Sequence, residues 1–376
     1  SGRGMGVGFR HRSSGASSPP HGPSTGLRAR EKALEPSATM KDMSSIRLGT
    51  RASTLATTQS EMVAELLRAQ GLDVDLATIT THGDTSTASL ASMGGIGVFA
   101  SAIRTALLEG SADIAVHSFK DLPTGRPLGL AIGAVPVRED PRDALVARDG
   151  LTLGELPQRA SVGTGSPRRV AQLLAVRPDL TIVDIRGNVD TRLGRVKGLG
   201  HYAKDSGKED LDAVVLAASG LARLGHSDVI TELLDPSVVL PAPAQGALAV
   251  ECRTADVHHG KLAKALARID DHGTRLSATA ERAVLSHLGA GCAAPIGALA
   301  HLTPTPGRSP DVLTLDVVVA AVNGSRTIRE QVSVELPEEV EPALAAAHTL
   351  GVTAAEELLD DGAADVADLK ASGSTR

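Results

Sequence analysis

The chain has 376 residues, of which 42% are hydrophobic and 22% charged, and its formal net charge is -6 at pH 7. This length and composition indicate a globular protein of two or three domains. Aromatic residues form only 1% of the chain, so nucleic-acid binding by base stacking is not expected, and the sequence has no apolar run that predicts a membrane span. The two cysteines predict no disulfide framework and favour a reducing cytoplasm.

The first 44 residues differ in composition from the rest of the chain. They are rich in Ser, Gly, Pro and Arg, and no acidic residue occurs before Glu31. Such a segment cannot bury enough apolar surface to become ordered, and it contains no hydrophobic stretch typical of a secretion signal. We expect residues 1–44 to be a disordered extension, with the functional chain beginning near Met40 or Met43.

From Ile46 onward, strand and helix patterns alternate. Short apolar runs and period-two alternation predict strands, whereas apolar residues at helical spacing predict helices. A polar, glycine-rich loop is expected at 80–95 and an inserted surface loop at 199–210. This alternation is typical of α/β domains with mainly parallel sheets. The predicted strands lie at 46–49, 74–79, 114–116, 161–163, 181–185 and 212–217, and the predicted helices at 53–70, 99–108 and 167–176.

The pattern changes after about residue 256. Two helical stretches are followed by strands around 313–322 and 327–334 and by a helix around 338–360. This succession predicts a smaller α+β domain at the end of the chain. Charged and proline-containing segments at 137–141 and 241–243 indicate two further domain boundaries.

Two arginine-rich segments, at 163–169 and 186–192, follow predicted strands, as does a lysine–aspartate pair within 115–123. Guanidinium groups bind carboxylate or phosphate bidentately, and the glycines beside them let backbone amides approach the same anion. In parallel α/β sheets, ligands bind beyond the carboxyl ends of the strands. The three segments therefore predict one cleft that binds a small, multiply anionic ligand.

Each candidate residue also has a plain structural interpretation. Arg168 and Arg169 could be solvated charges at a helix start, although arginine there opposes the helix dipole unless an anion lies between them. Arg186 and Arg192 could form surface ion pairs of little energetic value. Asp121 could pair with the neighbouring lysine or cap a turn.

Other potential sites have weaker support. Cys252 lies on a predicted strand and is expected to be structural, and Cys292 alone could be a small buried residue. The histidines lack a metal-ligand spacing, so no metal site is expected. The glycines at 94–97 lack the spacing of a dinucleotide-binding turn.

Taken together, the motifs resemble those of the porphobilinogen deaminase (hydroxymethylbilane synthase) family, from about Ile46 to the final helix. Many ordered segments carry this resemblance, so chance similarity is very improbable. The segments lie at 48–53, 115–123, 138–143, 163–169, 186–192, 220–225, 240–246 and 289–297.

The resemblance implies a transferase of tetrapyrrole synthesis, which joins four porphobilinogen molecules head to tail into hydroxymethylbilane and releases ammonia. It also implies two periplasmic-binding-protein-like α/β domains flanking a cleft and a smaller α+β C-terminal domain. The first domain would comprise 45–138 and, returning after the second, 238–255. The second would comprise 139–237 and the third 256–376. A cytoplasmic monomer without nucleic-acid or membrane partners is expected.

The same resemblance implies a dipyrromethane cofactor attached through a thioether to Cys292, with Asp121 as the catalytic carboxylate. The acetate and propionate groups of each pyrrole explain the many arginines. The residues implied to bind the cofactor, besides Cys292, are Ser118, Lys120, Thr164, Ser166, Arg168, Arg169, Arg186, Arg192 and Arg223. The residues implied to bind the substrate are Arg51, Ser53, Arg186 and Gln245.

Some positions depart from the family pattern. Ser92 and Ile96 stand where many relatives carry lysines, His82 stands where a basic residue is common, and Gly165 replaces a frequent serine. Two other functions remain open. One is a non-catalytic binding protein for an anionic solute, which would carry a secretion signal and no special cysteine. The other is a phosphate-ester enzyme, which would need a metal-binding carboxylate cluster.

Overall fold

The computed structural model describes residues 45–79, 97–125, 127–204, 207–291, 294–304, 311–367 and 369. The predicted extension at 1–44 lies outside the described residues. The same is true of the predicted loop at 80–95, with His82 and Ser92, and of Ile96. Cys292 also lies outside them, although its neighbour Gly291 is described.

The first sheet has the strand order β2-β1-β3-β10-β4. Helix α1 packs on it through the buried Val63, Ala64 and Leu67, and it begins where the Ser53 side chain accepts a hydrogen bond from the Ala56 amide, which satisfies one free N–H of the first turn. The elements of this part are β1 (Ile46–Thr50), α1 (Thr54–Arg68), β2 (Val74–Thr78), α2 (Gly97–Leu108), β3 (Ile114–Ser118), β4 (Leu130–Ala134) and β10 (Leu248–Arg253).

The second sheet has the order β7-β6-β8-β5-β9, and two of its strands, β5 and β8, are almost completely buried. Near-continuous apolar runs of this kind are typical of strands that are covered on both faces. The elements are β5 (Asp143–Ala147), β6 (Ser161–Gly163), α3 (Pro167–Val176), β7 (Thr181–Val183), α4 (Val189–Leu193), β8 (Ala213–Ala217), α5 (Ala218–Arg223) and β9 (Glu232–Leu233).

Both sheets are mixed, which corrects the prediction of mainly parallel sheets. Strands β1, β2 and β3 are parallel, as are β6, β7 and β8. However, β10 runs antiparallel to β3 and β4, and β5 runs antiparallel to β8 and β9. The cause is the chain path: β5 enters the second sheet directly from the first, and β10 returns to the first sheet from the second.

This antiparallel entry places polar residues at one edge of each sheet. In the strand register, Leu248 at the start of β10 lies opposite Ser118 at the end of β3. Likewise, Asp143 at the start of β5 lies opposite Ala217 at the end of β8. The segments that lead into β5 and β10 therefore meet the carboxyl ends of the parallel strands, where ligands of α/β sheets bind.

The end of the chain forms a three-stranded antiparallel sheet of order β11-β12-β13. Helices α7 and α8 pack on it around a core that includes Val284, Leu315 and Leu358, which agrees with the predicted α+β character. Helix α6 instead packs on the first sheet through Leu266 and Ile269. The elements are α6 (Gly260–Ile269), α7 (His272–His287), β11 (Ile296–Thr303), β12 (Val312–Ala320), β13 (Thr327–Glu335), α8 (Val340–Asp360) and α9 (Ala363–Val366).

Candidate functional site

The lysine–aspartate pair lies on a short turn that follows β3. Residues Phe119–Asp121 form a single 3-10 turn, which Ser118 precedes. The side chain of Asp121 is exposed, whereas Lys120 is partly buried and its Nζ donates a hydrogen bond to Gln245 Oε1 at 3.2 Å. Burial lowers the pKa of Lys120 to about 8, although the negative charge of Asp121 acts in the opposite direction. The turn thus presents an exposed carboxylate next to a lysine whose pKa is lowered by burial.

Gln245 connects this turn to the second sheet. Its side chain is completely buried, and its Nε2 donates to the Pro141 carbonyl at 2.7 Å and to Asp143 Oδ1 at 2.9 Å. Because the amide oxygen accepts from Lys120 while the amide nitrogen donates to Asp143, one side chain bridges the entry to β10 and the entry to β5. The two sheets therefore share a continuous polar network at this edge.

Arg168 and Arg169 both bind Asp143. Arg168 Nη1 donates to Oδ2 at 2.7 Å, and Arg169 donates to Oδ1 from Nε at 3.0 Å and from Nη2 at 2.7 Å. The arginines are 4% and 6% exposed and Asp143 is fully buried, so the interpretation as solvated charges is wrong. The anion between them at the start of α3 is a protein carboxylate.

Burial alone would raise the pKa of Asp143, but the guanidinium groups of Arg168 and Arg169 hold it well below its ordinary value. Burial lowers the pKa of Arg168. Two guanidinium groups on one carboxylate leave one positive charge uncompensated within this trio. Such a charge in a buried position favours the approach of a further anion.

Arg186 and Arg192 lie beyond the end of β7. Arg186 is 62% exposed on its side chain and only 3.3 Å from Asp184, and Arg192 Nε donates to the Gly187 carbonyl at 2.9 Å. Burial lowers the pKa of Arg192, and so do the charges of Arg169 and Arg186, while Asp184 and Asp121 act in the opposite direction. The charge of Asp121, which follows a strand of the first sheet, therefore affects the pKa of Arg192, which follows a strand of the second.

Arg223, at the end of α5, is held by groups that precede β5 and β10. Its side chain is only 4% exposed, with Nε 3.2 Å from Glu139 Oε1 and Nη2 donating to the Gly246 carbonyl at 2.7 Å. Gly246 has φ +89°, and a Cβ there would lie 2.5 Å from the Glu139 carbonyl oxygen. Only glycine fits this close crossing of the two connecting segments.

The remaining predicted residues lie at the ends of parallel strands. Ser118 exchanges hydrogen bonds with the buried Gln59, and Ser53 caps α1, so both hydroxyls have protein partners. Thr164 is buried, and its Oγ1 accepts from the Ser166 amide at 3.3 Å. Arg51 directly follows β1 and is partly buried.

Gly165 has a steric reason to be glycine in this protein. A Cβ at this position would lie 2.7 Å from the Ile185 carbonyl oxygen and 3.0 Å from Asp184 Oδ1. A serine here would require the segment after β7 to move. The departure from the family pattern is therefore matched by close backbone packing between the two arginine-rich segments.

The structure brings Lys120, Gln245, Arg168 and Arg169 into one hydrogen-bonded network and places Arg192 within the electrostatic influence of Asp121. Arg186 is more exposed than the others, and Cys292 lies outside the described residues. Sequence reasoning missed Asp143 as the partner of both arginines. The available signal was a lone carboxylate at the start of an otherwise apolar strand, β5.

Cys252 is completely buried on β10, and burial raises the pKa of its thiol to about 11. A protonated, inaccessible thiol is a poor nucleophile. This agrees with the expectation that Cys252 has a structural role. Within the described part of the chain, no group of three or more His, Cys, Asp or Glu side chains could hold a metal ion. No helix among the described residues is both long and apolar enough to cross a membrane.

Comparisons with known families match almost the whole described chain. The model described as "Porphobilinogen deaminase, dipyromethane cofactor binding domain" matches residues 46–261, and the model described as "Porphobilinogen deaminase, C-terminal domain" matches residues 275–360. The first range contains both five-stranded sheets. The second contains the three-stranded sheet, most of α7 and α8, and the position of Cys292.

Curated relatives agree with the family models. The porphobilinogen deaminase of Cutibacterium acnes (strain DSM 16379 / KPA171202) is 89% identical over 334 residues, which cover 89% of this chain and 100% of the relative. That of Micrococcus luteus is 52% identical over 355 residues, covering 85% of this chain and 94% of the relative. A methionine-bound nutrient-binding protein from Burkholderia cenocepacia matches 59% of this chain and 91% of its own at 15% identity, with a TM-score of 0.35, which is too low to support a conclusion.

Proposed function

Because the chain belongs to the porphobilinogen deaminase family, we propose that it joins four porphobilinogen molecules into hydroxymethylbilane on a dipyrromethane primer bound to Cys292. The observation that carries this proposal is the excess of buried positive charge around Asp143 and Lys120. Burial lowers the pKa values of Lys120, Arg168 and Arg192. Such cations are stabilised when a polyanion binds among them.

The residues at this edge fit a dipyrromethane. That group has acetate and propionate substituents on both pyrroles, so it supplies several carboxylates together with the nucleophilic end at which the chain grows. Lys120 and Arg192 are the cations best placed to bind carboxylates, since each is partly buried and lies beyond a strand end, whereas two donors of Arg223 already bind Glu139 and the Gly246 carbonyl. Arg168 and Arg169 would act mainly by supporting this positive region, because their donors already bind Asp143.

Cys292 is the proposed attachment point because the other cysteine is unsuitable. Cys252 is buried in the first sheet and its thiol pKa is raised to about 11. Cys292 follows α7, the helix whose residues contact the connecting segments beside the site. Helix α7 would then link the cofactor attachment point at Cys292 to the candidate site.

The proposed chemistry requires a carboxylate near the reacting carbon. When the C–N bond of the porphobilinogen aminomethyl group breaks, the nitrogen leaves as ammonia and an azafulvenium cation remains on the substrate. Asp121, exposed next to Lys120 and close enough to Arg192 to affect its pKa, would hold the substrate pyrrole N–H and stabilise this cation. A bound dipyrromethane would supply the pyrrole α-carbon to which the cationic carbon is joined, and Asp121 would accept the proton which that α-carbon releases.

The proposal also covers the domain organisation, the cellular location and the oligomeric state. We assign residues 45–138 and 238–255 to a first domain, 139–237 to a second and 256–376 to a third, although helix α6 of the third range packs on the first sheet. The strand orders of the sheets support the return of 238–255, since β10 lies between β3 and β4. We assign the protein to the cytoplasm, as a monomer.

Turnover of porphobilinogen by Asp121→Asn tests the function and the role of Asp121 together. Wild-type protein should release one ammonia for each porphobilinogen consumed and form hydroxymethylbilane. Asp121→Asn keeps the size and hydrogen-bonding capacity of the side chain but removes its charge. The activation free energy should therefore rise by roughly 3–4 kcal/mol or more, and turnover should slow accordingly. Ammonia release without hydroxymethylbilane, or near-normal turnover by Asp121→Asn, would contradict the proposal.

A further inference from the structure

Helix α7 packs directly beneath the turn that presents Lys120 and Asp121. Ala278 on this helix lies in one buried cluster with Phe119 and Leu122, the residues on either side of the pair. Arg282 is four residues further along α7, on the same face of the helix. The helix thus places one arginine next to the inner surface of the turn.

The guanidinium of Arg282 binds the backbone of this turn at three points. Its Nη1 donates to the Phe119 carbonyl at 2.9 Å and to the Leu122 carbonyl at 2.8 Å. Its Nη2 donates to the Pro123 carbonyl at 2.8 Å, and its Cζ lies 4.4 Å from the centroid of the Phe119 ring. One planar group therefore fixes the backbone on both sides of Lys120 and Asp121.

This arrangement carries an electrostatic cost. Burial lowers the pKa of Arg282 to about 10, and the positive charge of Arg104 contributes in the same direction. In the described part of the chain, no carboxylate lies within ion-pair distance of Arg282. Arg138 contrasts with it, because Arg138 binds Glu281, the residue that precedes Arg282, with both Nη atoms, at 2.6 and 3.0 Å. Arg282 instead directs its fork of donors to carbonyl groups and its planar face to the Phe119 ring.

We propose that Arg282 is a positioning residue for Asp121, an inference that rests on the catalytic role proposed above for that carboxylate. Asp121 is exposed and no described side chain fixes it by hydrogen bonding, so the conformation of its own backbone decides where the carboxylate lies. Three carbonyl hydrogen bonds hold that backbone against α7. Loss of this support lets the carboxylate shift relative to Arg192 and the reacting carbon.

The test compares Arg282→Met with Arg275→Met. Arg275 lies on the same helix but pairs with Asp270 at 2.7 Å and reaches the Ile132 carbonyl, away from the turn. For Arg282→Met we expect kcat to fall about 100-fold, the effect of misplacing a catalytic group by about 1 Å, while KM changes little. Arg275→Met should keep kcat near the wild-type value. Equal kcat losses in both variants would overturn the proposal, because they would indicate a general effect on the fold.

Chemical rescue separates positioning from folding. In Arg282→Ala, millimolar guanidinium should restore kcat by about 10-fold or more by occupying the space next to the carbonyls, while sodium chloride at the same ionic strength should not. Arg275→Ala should not respond. If Arg282→Ala does not fold, Arg282→Lys, which retains a charged donor, should keep an intermediate kcat. Absence of rescue in a folded Arg282→Ala, or full activity of Arg282→Met, would overturn the proposal.

A double variant distinguishes this proposal from the one on which it rests. If Arg282 acts through Asp121, adding Arg282→Met to Asp121→Asn should lower kcat by less than about 2-fold, because coupled residues are not additive. A full multiplicative loss would overturn the positioning role. Near-normal turnover of Asp121→Asn alone would instead refute the catalytic role of Asp121.

Discussion

At the scale of single residues, the lowered pKa of Lys120 is the property of the site that is measured most readily. Its ammonium donates to Gln245 at 3.2 Å, and burial lowers its pKa to about 8 from the ordinary lysine value. A lysine whose pKa is lowered in the folded state opposes folding while it is charged. That cost is fully present below pH 8 and is relieved as the pH rises toward the ordinary lysine pKa.

We predict a corresponding pH dependence of catalysis. Below pH 8, Lys120 is charged and can bind a substrate or cofactor carboxylate, and above pH 8 it loses this charge. The value of kcat/KM reports the free enzyme, so it should fall as the pH rises past about 8. Lys120→Arg keeps the charge and should extend the plateau to higher pH. The assay is porphobilinogen consumption between pH 6 and 10, and identical profiles for the two proteins would contradict the prediction.

Asp143 should be essential for stability. It is fully buried and accepts from Arg168, Arg169 and Gln245. Asp143→Asn leaves two buried guanidinium groups without a counter-charge, which should lower the free energy of unfolding by about 3–5 kcal/mol. Because the folded pKa of Asp143 is depressed, its stabilisation is present at neutral pH and is lost only as the pH falls below the ordinary carboxylate range.

Urea unfolding of Asp143→Asn and Asp184→Asn provides the comparison. Asp184 also faces an arginine, but its side chain is 65% exposed, so its loss should change the midpoint little. A midpoint of Asp143→Asn equal to that of the wild type would show that the two arginines find another counter-charge.

At the scale of elements, the segment that leads into β10 is held in an unusual conformation. Ala244 has φ +60°, which is unfavourable for a residue with a Cβ. Its amide donates to Glu281 Oε2 at 2.5 Å, and Glu281 in turn binds Arg138 and the Ala300 amide. A buried carboxylate on α7 thus fixes the segment that positions Gln245.

Ala244→Gly should therefore raise the free energy of unfolding by about 1 kcal/mol, since glycine adopts this conformation without strain. Ala247→Gly is the matched control: Ala247 lies in the same segment, is equally buried and is not among the described non-glycine residues with positive φ. This second change should lower stability, because glycine adds conformational entropy to the unfolded chain. Both midpoints can be measured by urea unfolding, and destabilisation by Ala244→Gly would show that its methyl group contributes more than the strain costs.

Local patterns predicted several elements closely and missed others for a clear reason. Helix α3 spans 167–176 as predicted, because its apolar spacing and its N-terminal proline are local signals. Strands β4, β5, β9 and β11 were not predicted. The direction of β5 and β10 could not be predicted either, since an apolar run has the same pattern in a parallel and an antiparallel strand. Strand direction depends on the path of the whole chain.

In the candidate site, too, local signals predicted some residues, while residues distant in the sequence were missed. Its cations could be predicted, because arginines beside glycines and strand ends are visible in the sequence. Their partners could not, since Asp143 is 25 residues from Arg168 and Gln245 is 102 residues from Asp143. Arg282 carried no local signal at all, because its three carbonyl partners are about 160 residues away.

At the scale of the whole molecule, α7 connects the parts on which the proposed mechanism depends. Glu281 holds the segments that lead into β5 and β10, Arg282 holds the turn of Asp121, and the helix is followed by the position of Cys292. One helix thus contacts both connecting segments and the turn that carries Asp121.

The intact mass of the purified protein tests the central claim most directly. The protein should exceed the mass of its chain by one covalently bound two-pyrrole unit, and Cys292→Ala should remove this increment together with the activity. Cys252→Ala should retain it, because the Cys252 thiol is buried and its pKa is raised to about 11. An active protein with an unmodified Cys292, or an increment that survives Cys292→Ala, would contradict covalent attachment of the primer at this residue.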